Sequence, residues 1–347
     1  MSIPNPKVFQ AASIASSLNK SLHLLSTLSF YFRFLSHKIF GDRITNAIKR
    51  FLCYTFSNRS PFLLLVYICV TYGGIAVFLF RGVIPYLPSE NLGLCHIIFC
   101  CLLITSSFAS FIVFSMSDPG MIKKEAIKDL KKKYPYDGIL FKEKECTICK
   151  MPKIARSEHC LICNVCIEKH DHHCALLHRC IGAKNYRYFL LFLLTHAMMC
   201  IDITYMTFIT SIIIITEGKI AFIKLSAHMS LRGFIGVWTT ILGDFVERYP
   251  DLIVILLIST LMGLLTVALL IMNTVIVLTN RTTNESDIAY GIERQLTRAR
   301  DNLKAKVKAE DDVEEKTKKI EGQLKELTKN YYNKGIKKNI KEVLFPN

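Results

Sequence analysis

Four apolar segments, each long enough to cross a lipid bilayer, constrain this chain more than any other feature of its sequence. They cover approximately residues 62–80, 93–116, 188–216 and 252–279. A transmembrane helix needs roughly 20 predominantly apolar residues. The sequence therefore predicts a membrane protein of the all-α class with four transmembrane helices.

The basic residues are unevenly distributed between the loops that join these segments. Residues 1–61, 117–187 and 280–347 hold 39 of the 44 Lys and Arg, whereas residues 81–92 and 217–251 hold 5. Because cytosolic loops carry an excess of positive residues, we expect both termini and the 117–187 loop to be cytosolic. A shorter apolar stretch over 22–36 predicts an interfacial amphipathic helix, with a further span as the alternative.

The net charge of +16 at pH 7 would also suit a nucleic-acid-binding protein. Such proteins do not usually contain long apolar spans, and a basic cytosolic surface beside anionic lipid accounts for the charge. We therefore predict the lipid bilayer as a partner and no nucleic acid.

Seven of the thirteen cysteines lie between residues 146 and 180, in the loop that we expect to be cytosolic. The cytosol is reducing, so clustered thiols there indicate metal ligands or catalytic groups rather than disulfides. Three Cys-x2-Cys pairs fall within 21 residues of this loop, and such pairs are typical of tetrahedral zinc sites. Five nearby histidines are further candidates, so two four-coordinate zinc ions would leave some groups unused.

The stretch Asp171-His172-His173-Cys174 combines a carboxylate, two imidazoles and a thiol. A zinc-bound thiolate has given much of its charge to the metal, whereas a free cysteine beside a base and an acid can attack a thioester. The stretch thus offers a nucleophile, a base and a group that orients the base. Spacing alone leaves open whether Cys174 or Cys180 is the free cysteine.

The run from Cys146 to Tyr188 closely resembles the cysteine-rich domain of the DHHC-type (zinc finger) protein S-acyltransferases, the palmitoyltransferases of eukaryotic membranes. The DHHC tetrapeptide, the preceding HCLICNVC and the following CIGAKNYRYF stand in that family's order and spacing. The resemblance implies Cys174 as the nucleophile, with His172 and Asp171 as its catalytic partners. It also implies two interleaved structural zinc sites, with ligands Cys146, Cys149, His159 and Cys166 in one and Cys160, Cys163, His173 and Cys180 in the other.

Three stretches outside this domain resemble further motifs of the family. Asp118-Pro119-Gly120 resembles its DPG motif, and residues 282–285 resemble its TTxE motif, in which the second threonine, here Thr283, approaches the catalytic aspartate. The C-terminal stretch YYNKGIKKNIKEVLF is similar to a motif in which an asparagine, here Asn339, caps buried backbone. In that motif an aromatic residue, here Tyr331 or Tyr332, packs against the membrane domain.

The resemblance implies a ping-pong protein-cysteine S-palmitoyltransferase. His172 would take the proton of Cys174, the thiolate would accept the acyl group of palmitoyl-CoA, and a juxtamembrane cysteine of a membrane-associated protein would then receive it. Lys184, Arg187 and Arg281 are candidates for binding the CoA phosphates, although positive residues at span ends are equally expected from topology alone. The tail resembles that of endoplasmic-reticulum and Golgi members, and we expect the protein in one of those membranes.

The residues after Cys174 depart from the family pattern. Most relatives continue with Pro-Trp and have Asn at the position of His178, whereas this chain has Ala175 and Leu176. A catalytically degenerate, zinc-stabilised membrane scaffold is therefore the alternative, although the intact Asp171, His172, Cys174 and Thr283 argue against it. A membrane RING-type ubiquitin ligase would not account for the flanking motifs.

Five regions are predicted along the chain. They are a cytosolic N-terminal region (1–61) containing the amphipathic helix, the first two spans with the DPG motif (62–120), a cytosolic two-zinc cysteine-rich domain (121–187), the last two spans (188–279), and a cytosolic tail (280–347) with the TTxE motif and a charged helix. Within the third span, Asp202 is either a functional carboxylate or a polar contact between helices.

Overall fold

A computed structural model describes residues 61–84, 94–216, 231–306, 311–327 and 329–346. The amphipathic helix predicted over 22–36 lies outside the described residues. Four of the described helices are long and apolar enough to cross a membrane, namely Phe62–Arg81, Leu94–Met116, Tyr186–Thr216 and Pro250–Thr279. The predicted set of four spans is therefore confirmed, and the helices lie within a few residues of the predicted bounds.

The first span consists of helix α1 (Phe62–Val77) and a π-helical turn over Phe78–Val83. The second is α2 (Leu94–Met116). The last two spans, α4 (Tyr186–Thr216) and α6 (Pro250–Thr279), are longer. Proline at the start of α6 suits a first helical turn, whose amides have no intrahelical partner, and α6 ends at Asn280 in the left-handed conformation.

The third span, α4, lies at the centre of the membrane region and packs against both α2 and α6. Its buried Met199, Cys200 and Met206 form one apolar cluster with Phe78 of the π-helical turn. Small residues let the helices approach: a Cβ atom at Gly263 of α6 would stand 3.4 Å from the Cβ atom of Cys200. Apolar packing of this kind holds helices together where lipid removes any hydrophobic driving force.

The chain between the second and third spans forms the cysteine-rich domain. After the short helix α3 (Ile127–Lys133) come three antiparallel hairpins, which pair β1 (Lys144–Cys146) with β2 (Met151–Lys153), β3 (Glu158–Cys160) with β4 (Val165–Ile167), and β5 (His172–Cys174) with β6 (Arg179–Ile181). The mostly helical class is confirmed for the chain. The hairpins are a local addition that the sequence did not predict.

Gly182 allows the cysteine-rich domain to meet the end of the second span. A Cβ atom at this position would lie 2.5 Å from the carbonyl oxygen of Pro119 and 2.6 Å from Cγ2 of Ile167. The Asp118-Pro119-Gly120 turn that it touches is closed by Oδ1 of Asp118, which accepts hydrogen bonds from the amides of Gly120 at 2.9 Å and Met121 at 3.0 Å. Gly120 has φ of +101°, which favours glycine.

The C-terminal region contains α7 (Thr283–Lys306), α8 (Asp311–Leu327) and α9 (Ile336–Leu344). The described parts of the predicted charged segment form α7 and α8, and these two helices contact each other. Asn339 is fully buried, and its side-chain amide donates to the carbonyl oxygen of Leu278 at 2.8 Å. The predicted capping role of this asparagine is thus present in the structure.

The prediction for the aromatic residue of the C-terminal motif is wrong. Tyr331 is 64% exposed, and the buried Tyr332 packs in the core of the cysteine-rich domain rather than against the membrane helices. Its hydroxyl group donates to the carbonyl oxygen of Pro135 at 2.9 Å, and its ring lies 4.5 Å from the guanidinium carbon of Arg156. The hydroxyl group of Tyr332 and the guanidinium group of Arg156 explain why Tyr332 lies in the cysteine-rich domain. Both groups need polar partners, which the lipid around the membrane helices would not provide.

Candidate active site and metal clusters

Two clusters of three cysteines and one histidine lie in the cysteine-rich domain. In each, the candidate ligand atoms all lie within 4.8 Å of one another. The clusters consist of the residues expected from the sequence: Cys146, Cys149, His159 and Cys166 in the first, and Cys160, Cys163, His173 and Cys180 in the second. Cys180, the other candidate for the free cysteine, is therefore a member of a cluster, whereas Cys174 belongs to neither.

The hairpins explain how the two clusters interleave. The turn of the first hairpin carries Cys149, and the β3–β4 pair places His159 directly opposite Cys166. The second cluster is built in the same way from the next two hairpins. The β3–β4 turn carries Cys163, and the β5–β6 pair places His173 directly opposite Cys180. Each cluster therefore joins the turn of one hairpin to a cross-strand pair of the next, and the β3–β4 hairpin contributes to both.

The interatomic distances are close to those expected around zinc. Around a tetrahedral zinc ion with Zn–S of about 2.3 Å and Zn–N of about 2.0 Å, ligand atoms stand about 3.5–3.8 Å apart. In the first cluster Sγ of Cys149 lies 3.2 Å from Nδ1 of His159 and 3.7 Å from Sγ of Cys166. In the second, Nδ1 of His173 lies 3.5 Å from the Sγ atoms of both Cys163 and Cys180. Three thiolates and one imidazole are a donor set that zinc commonly takes in structural sites.

Strand alternation separates His172 and Cys174 from the second metal cluster. Successive side chains of a strand point to opposite faces, so His172 and Cys174 share one face of β5 while His173 lies on the other with its cross-strand partner Cys180. The DHHC tetrapeptide can thus serve metal binding on one face and chemistry on the other.

Asp171 and His172 form a hydrogen-bonded pair, with Nδ1 of His172 2.7 Å from Oδ2 of Asp171. The carboxylate is fully buried, whereas the imidazole is 37% exposed. Burial lowers the pKa of His172, but its interactions with Asp171 and Cys174 outweigh burial and raise that pKa to about 9. The pair therefore leaves Nε2 of His172 free to exchange a proton with a neighbouring thiol.

The second oxygen of Asp171 is held by the start of α7. The backbone amide of Thr283 donates to Oδ1 of Asp171 at 2.6 Å. Thr283 thus reaches the aspartate as expected, and it does so through its backbone at the positive end of a helix, where a carboxylate is favoured.

Residues Thr282 and Glu285 form a capping box at this helix start. The amide of Glu285 donates to the hydroxyl oxygen of Thr282 at 3.2 Å, and the amide of Thr282 donates to Oε2 of Glu285 at 2.9 Å. The reciprocal bonds fix the direction of the first turn, and therefore the direction of the amide of Thr283 that meets Asp171.

Arg156 is a buried partner of this capping box that the sequence did not reveal. Its side chain is 1% exposed, and its guanidinium group donates to both carboxylate oxygens of Glu285. It also donates to the side-chain and main-chain oxygens of Asn280, at 3.1 and 2.9 Å. The arginine connects the cysteine-rich domain to the end of α6 and the start of α7, and so supports the helix that holds Asp171.

We predict that Arg156→Met destabilises the folded protein by about 3–5 kcal/mol, because it leaves the carboxylate of Glu285 buried without a counter-charge. Arg156→Lys should recover only part of the loss, because an ammonium cannot reproduce the two-pronged contact. Thermal unfolding of the purified full-length protein measures both effects. The exposed Arg294 on α7 supplies the matched control, and an Arg156→Met variant as stable as Arg294→Met would contradict the prediction.

The thiol of Cys174 borders the membrane helices. Its side chain is half-buried and packs against an apolar cluster that includes Phe114 at the end of α2 and Phe189 and Phe192 at the start of α4. The ring of His172 also meets Phe189, with 6.1 Å between centroids. The thiol therefore lies beside an apolar surface that continues into the transmembrane region.

The structure divides the three candidate cations between two places. Lys184 and Arg187 line one cleft together with Ser117 and Asp118 at the end of α2. Arg281 instead lines a separate cavity with Lys133 and Lys169. The three cations therefore do not form a single cluster.

Asp202 makes a polar contact between two spans. Its Oδ1 atom lies 3.1 Å from Nε2 of His96 on α2, and its side chain is 7% exposed. The structure thus contains a polar contact between two helices at this carboxylate.

The chain is similar in sequence to known proteins. Residues 139–288 match the family model described as DHHC palmitoyltransferase. The chain is 24% identical over 182 residues to Palmitoyltransferase swf1 of Schizosaccharomyces pombe, covering 52% of this chain and 50% of that protein. It is 35% identical over 86 residues to Palmitoyltransferase SWF1 of Yarrowia lipolytica, covering 24% of this chain and 23% of that protein. The chain thus spans about half or less of the length of these curated relatives.

Proposed function

Because residues 139–288 contain a DHHC palmitoyltransferase domain, we propose that this chain is a protein-cysteine S-palmitoyltransferase. It moves a long-chain acyl group from acyl-CoA to a cysteine of a membrane-associated protein. The observation that carries the proposal is the 2.7 Å contact between His172 and Asp171, beside a cysteine that belongs to neither metal cluster.

The first half-reaction loads the enzyme. His172 accepts the proton of the Cys174 thiol at Nε2, and the thiolate attacks the carbonyl carbon of the acyl-CoA thioester. The bond from that carbon to the CoA sulfur breaks, a bond to Sγ of Cys174 forms, and the imidazolium returns its proton to the CoA thiolate. Asp171 keeps the imidazole in one tautomer and stabilises its charged form.

The second half-reaction transfers the acyl group. His172 accepts the proton of the substrate cysteine, whose thiolate attacks the acyl carbon on Cys174. The Cys174 thiolate leaves and takes the proton back from His172. The two half-reactions share one base and one carbonyl position, which makes the scheme ping-pong.

The position of Cys174 suits a fatty acyl donor. The apolar cluster beside it, with Phe114 and Phe189, can keep the chain out of water while the thioester reacts. Each buried CH2 group contributes about 0.8 kcal/mol, so a palmitoyl chain gains far more from this surface than a short acyl chain.

The three candidate cations are not equally placed for binding CoA. We assign the CoA phosphates to the cleft that contains Lys184 and Arg187, because that cleft adjoins Ser117, whose carbonyl oxygen accepts a hydrogen bond from Arg179 at 2.8 Å. Arg179 is the cross-strand partner of Cys174, so the cleft lies close to the nucleophile. Arg281 lies in the other cavity and is the weaker candidate of the three.

Zinc has a structural role in this proposal. The eight residues of the two clusters would hold two ions that fix the hairpins and so position His172 and Cys174. The ions take no part in proton or acyl transfer.

The proposed location is an endomembrane, the endoplasmic reticulum or the Golgi, with the cysteine-rich domain and both termini in the cytosol. The distribution of basic residues supports this orientation. Acyl-CoA is a cytosolic donor, and the orientation places Cys174 on the side that meets it.

Acyl labelling tests the proposed function. The purified full-length protein, supplied with zinc and an alkyne analogue of palmitoyl-CoA, should acquire a label that neutral hydroxylamine removes, with release of free CoA. A cysteine peptide anchored in the same membrane should then remove the label from the enzyme. Folded protein containing both metals that acquires no label would instead favour the membrane scaffold.

Restoring the family residues after Cys174 separates the two half-reactions. The side chain of Leu176 is 44% exposed beside the nucleophile, where Pro and Trp would provide a rigid turn and an aromatic wall. We predict that Ala175→Pro with Leu176→Trp changes the rate of acyl transfer more than the rate of loading. Single-turnover kinetics follow loading and decay separately, and an equal change in both rates would refute the prediction.

A further inference from the structure

Helix α5 (Leu231–Arg248) lies between the third and fourth spans and is amphipathic. Its exposed polar residues include Thr240 and Glu247, which lie on one side of the helix. Its apolar residues cover the other side of the helix. The helix is too polar over its length to be among the four candidate spans.

Part of the apolar side is covered by protein. α5 contacts both α4 and α6, and the side chains of Ile241 and Phe245 are buried. The helix is therefore packed against the bundle of spans and has a fixed orientation relative to it.

A second row of apolar side chains on α5 is largely uncovered, with Trp238 half-buried at its edge. Ile235, Trp238, Leu242 and Val246 follow one another at intervals of three or four residues, so they lie on one face. Ile235, Leu242 and Val246 are 52%, 47% and 54% exposed. A row of large apolar residues beside an already buried apolar row gives the helix a wide apolar face.

The position of α5 indicates what covers this face. α4 begins next to the cysteine-rich domain, so α5, which follows α4, lies at the opposite end of the spans. One residue, Tyr249, separates α5 from the membrane span α6. The second turn of α6 already exposes Val254 and Leu257, side chains that a membrane span presents to hydrocarbon. Nearby, Arg81 and Asp251 form an ion pair of 2.7 Å, which marks the polar boundary at this end of the bundle.

We infer that α5 is an interfacial helix whose row Ile235, Trp238, Leu242 and Val246 inserts into the lipid leaflet opposite the cysteine-rich domain. The partner is lipid, at the boundary between headgroups and acyl chains. An amphipathic helix lies in this boundary when one face is apolar and the other charged, and continuity with the lipid-facing surface of α6 places α5 at that depth.

The chain contains a single tryptophan, Trp238, and it lies in this row. Full-length protein in nanodiscs can therefore report the depth of α5 through its intrinsic fluorescence, excited so that tyrosine does not contribute. Lipids brominated near the headgroup end of the acyl chain should remove more than half of the emission. Lipids brominated near the chain terminus should remove less, and aqueous acrylamide should remove little.

Two variants sharpen the measurement. Ile235→Glu with Leu242→Glu should reduce quenching by brominated lipid and increase quenching by acrylamide, whereas Thr240→Glu on the opposite, polar face should change neither. Strong acrylamide quenching of the unmodified protein without quenching by brominated lipid would overturn the inference in favour of a water-exposed helix. Protection from both quenchers would overturn it in favour of cover by protein, such as a second copy of the chain.

Discussion

Cys174→Ser is expected to reduce hydroxylamine-sensitive acylation of the full-length protein to background while leaving its two metal clusters occupied. A serine hydroxyl does not ionise near neutral pH, so the base His172 has no comparable nucleophile to activate. Cys174 belongs to neither cluster, and the substitution exchanges sulfur for oxygen at a half-buried position. Acyl labelling and elemental analysis of the same preparation measure both consequences.

A matched control comes from a cysteine elsewhere in the chain. Cys101 is exposed on the second span and lies outside both clusters, so Cys101→Ser should retain acylation and metal. If Cys174→Ser were labelled as strongly as Cys101→Ser, another residue would have to be the acyl acceptor and the assignment of the nucleophile would fall.

Loss of one zinc ligand is expected to have the largest effect on stability. Metal binding is folding energy in small zinc domains, with apparent values of about 10–16 kcal/mol per structural zinc near neutral pH. The protein should contain two zinc ions per chain, and Cys146→Ala or Cys163→Ala should lose metal and acylation together. Because the β3–β4 hairpin contributes His159 and Cys166 to one cluster and Cys160 and Cys163 to the other, each variant should weaken both sites.

Elemental analysis of purified protein provides the measurement, with acyl labelling in parallel. Cys101→Ser again serves as the control, because it removes a thiol outside both clusters. An active preparation with one zinc ion or none per chain would contradict the two-site scheme. Retention of a full second zinc in Cys146→Ala would show that the clusters fold independently despite their shared hairpin.

The spans and the presence of zinc-type cysteine pairs could be predicted because their signals are local, whereas the division of the ligands between two sites came from the family resemblance. A run of apolar residues and a Cys-x2-Cys spacing are each contained in a short stretch of chain. Spacing left open the choice between Cys174 and Cys180, which depends on the cross-strand register: His173 faces Cys180, and Cys174 faces Arg179. A register of this kind is set by tertiary pairing and cannot be read from composition.

Arg156 and Tyr332 could not be placed from the sequence, because their partners are distant in the chain. Arg156 meets Glu285 across 129 residues, and Tyr332 meets Pro135 across 197. Nothing in the neighbours of either residue signals burial. Which candidate cations share a site also depends on contacts between distant parts of the chain. Lys184, Arg187 and Arg281 all lie near span ends, yet only the first two share a cleft.

The bond between Asp171 and the amide of Thr283 has a consequence for biosynthesis. The two residues are separated by 112 positions that include two whole spans. A ribosome therefore synthesises Asp171, His172 and Cys174 well before Thr283, and the last two spans must be in place before the start of α7 can reach the aspartate. During synthesis the carboxylate of Asp171 therefore lacks its bond to Thr283, and this part of the candidate site is completed only after the last span has folded.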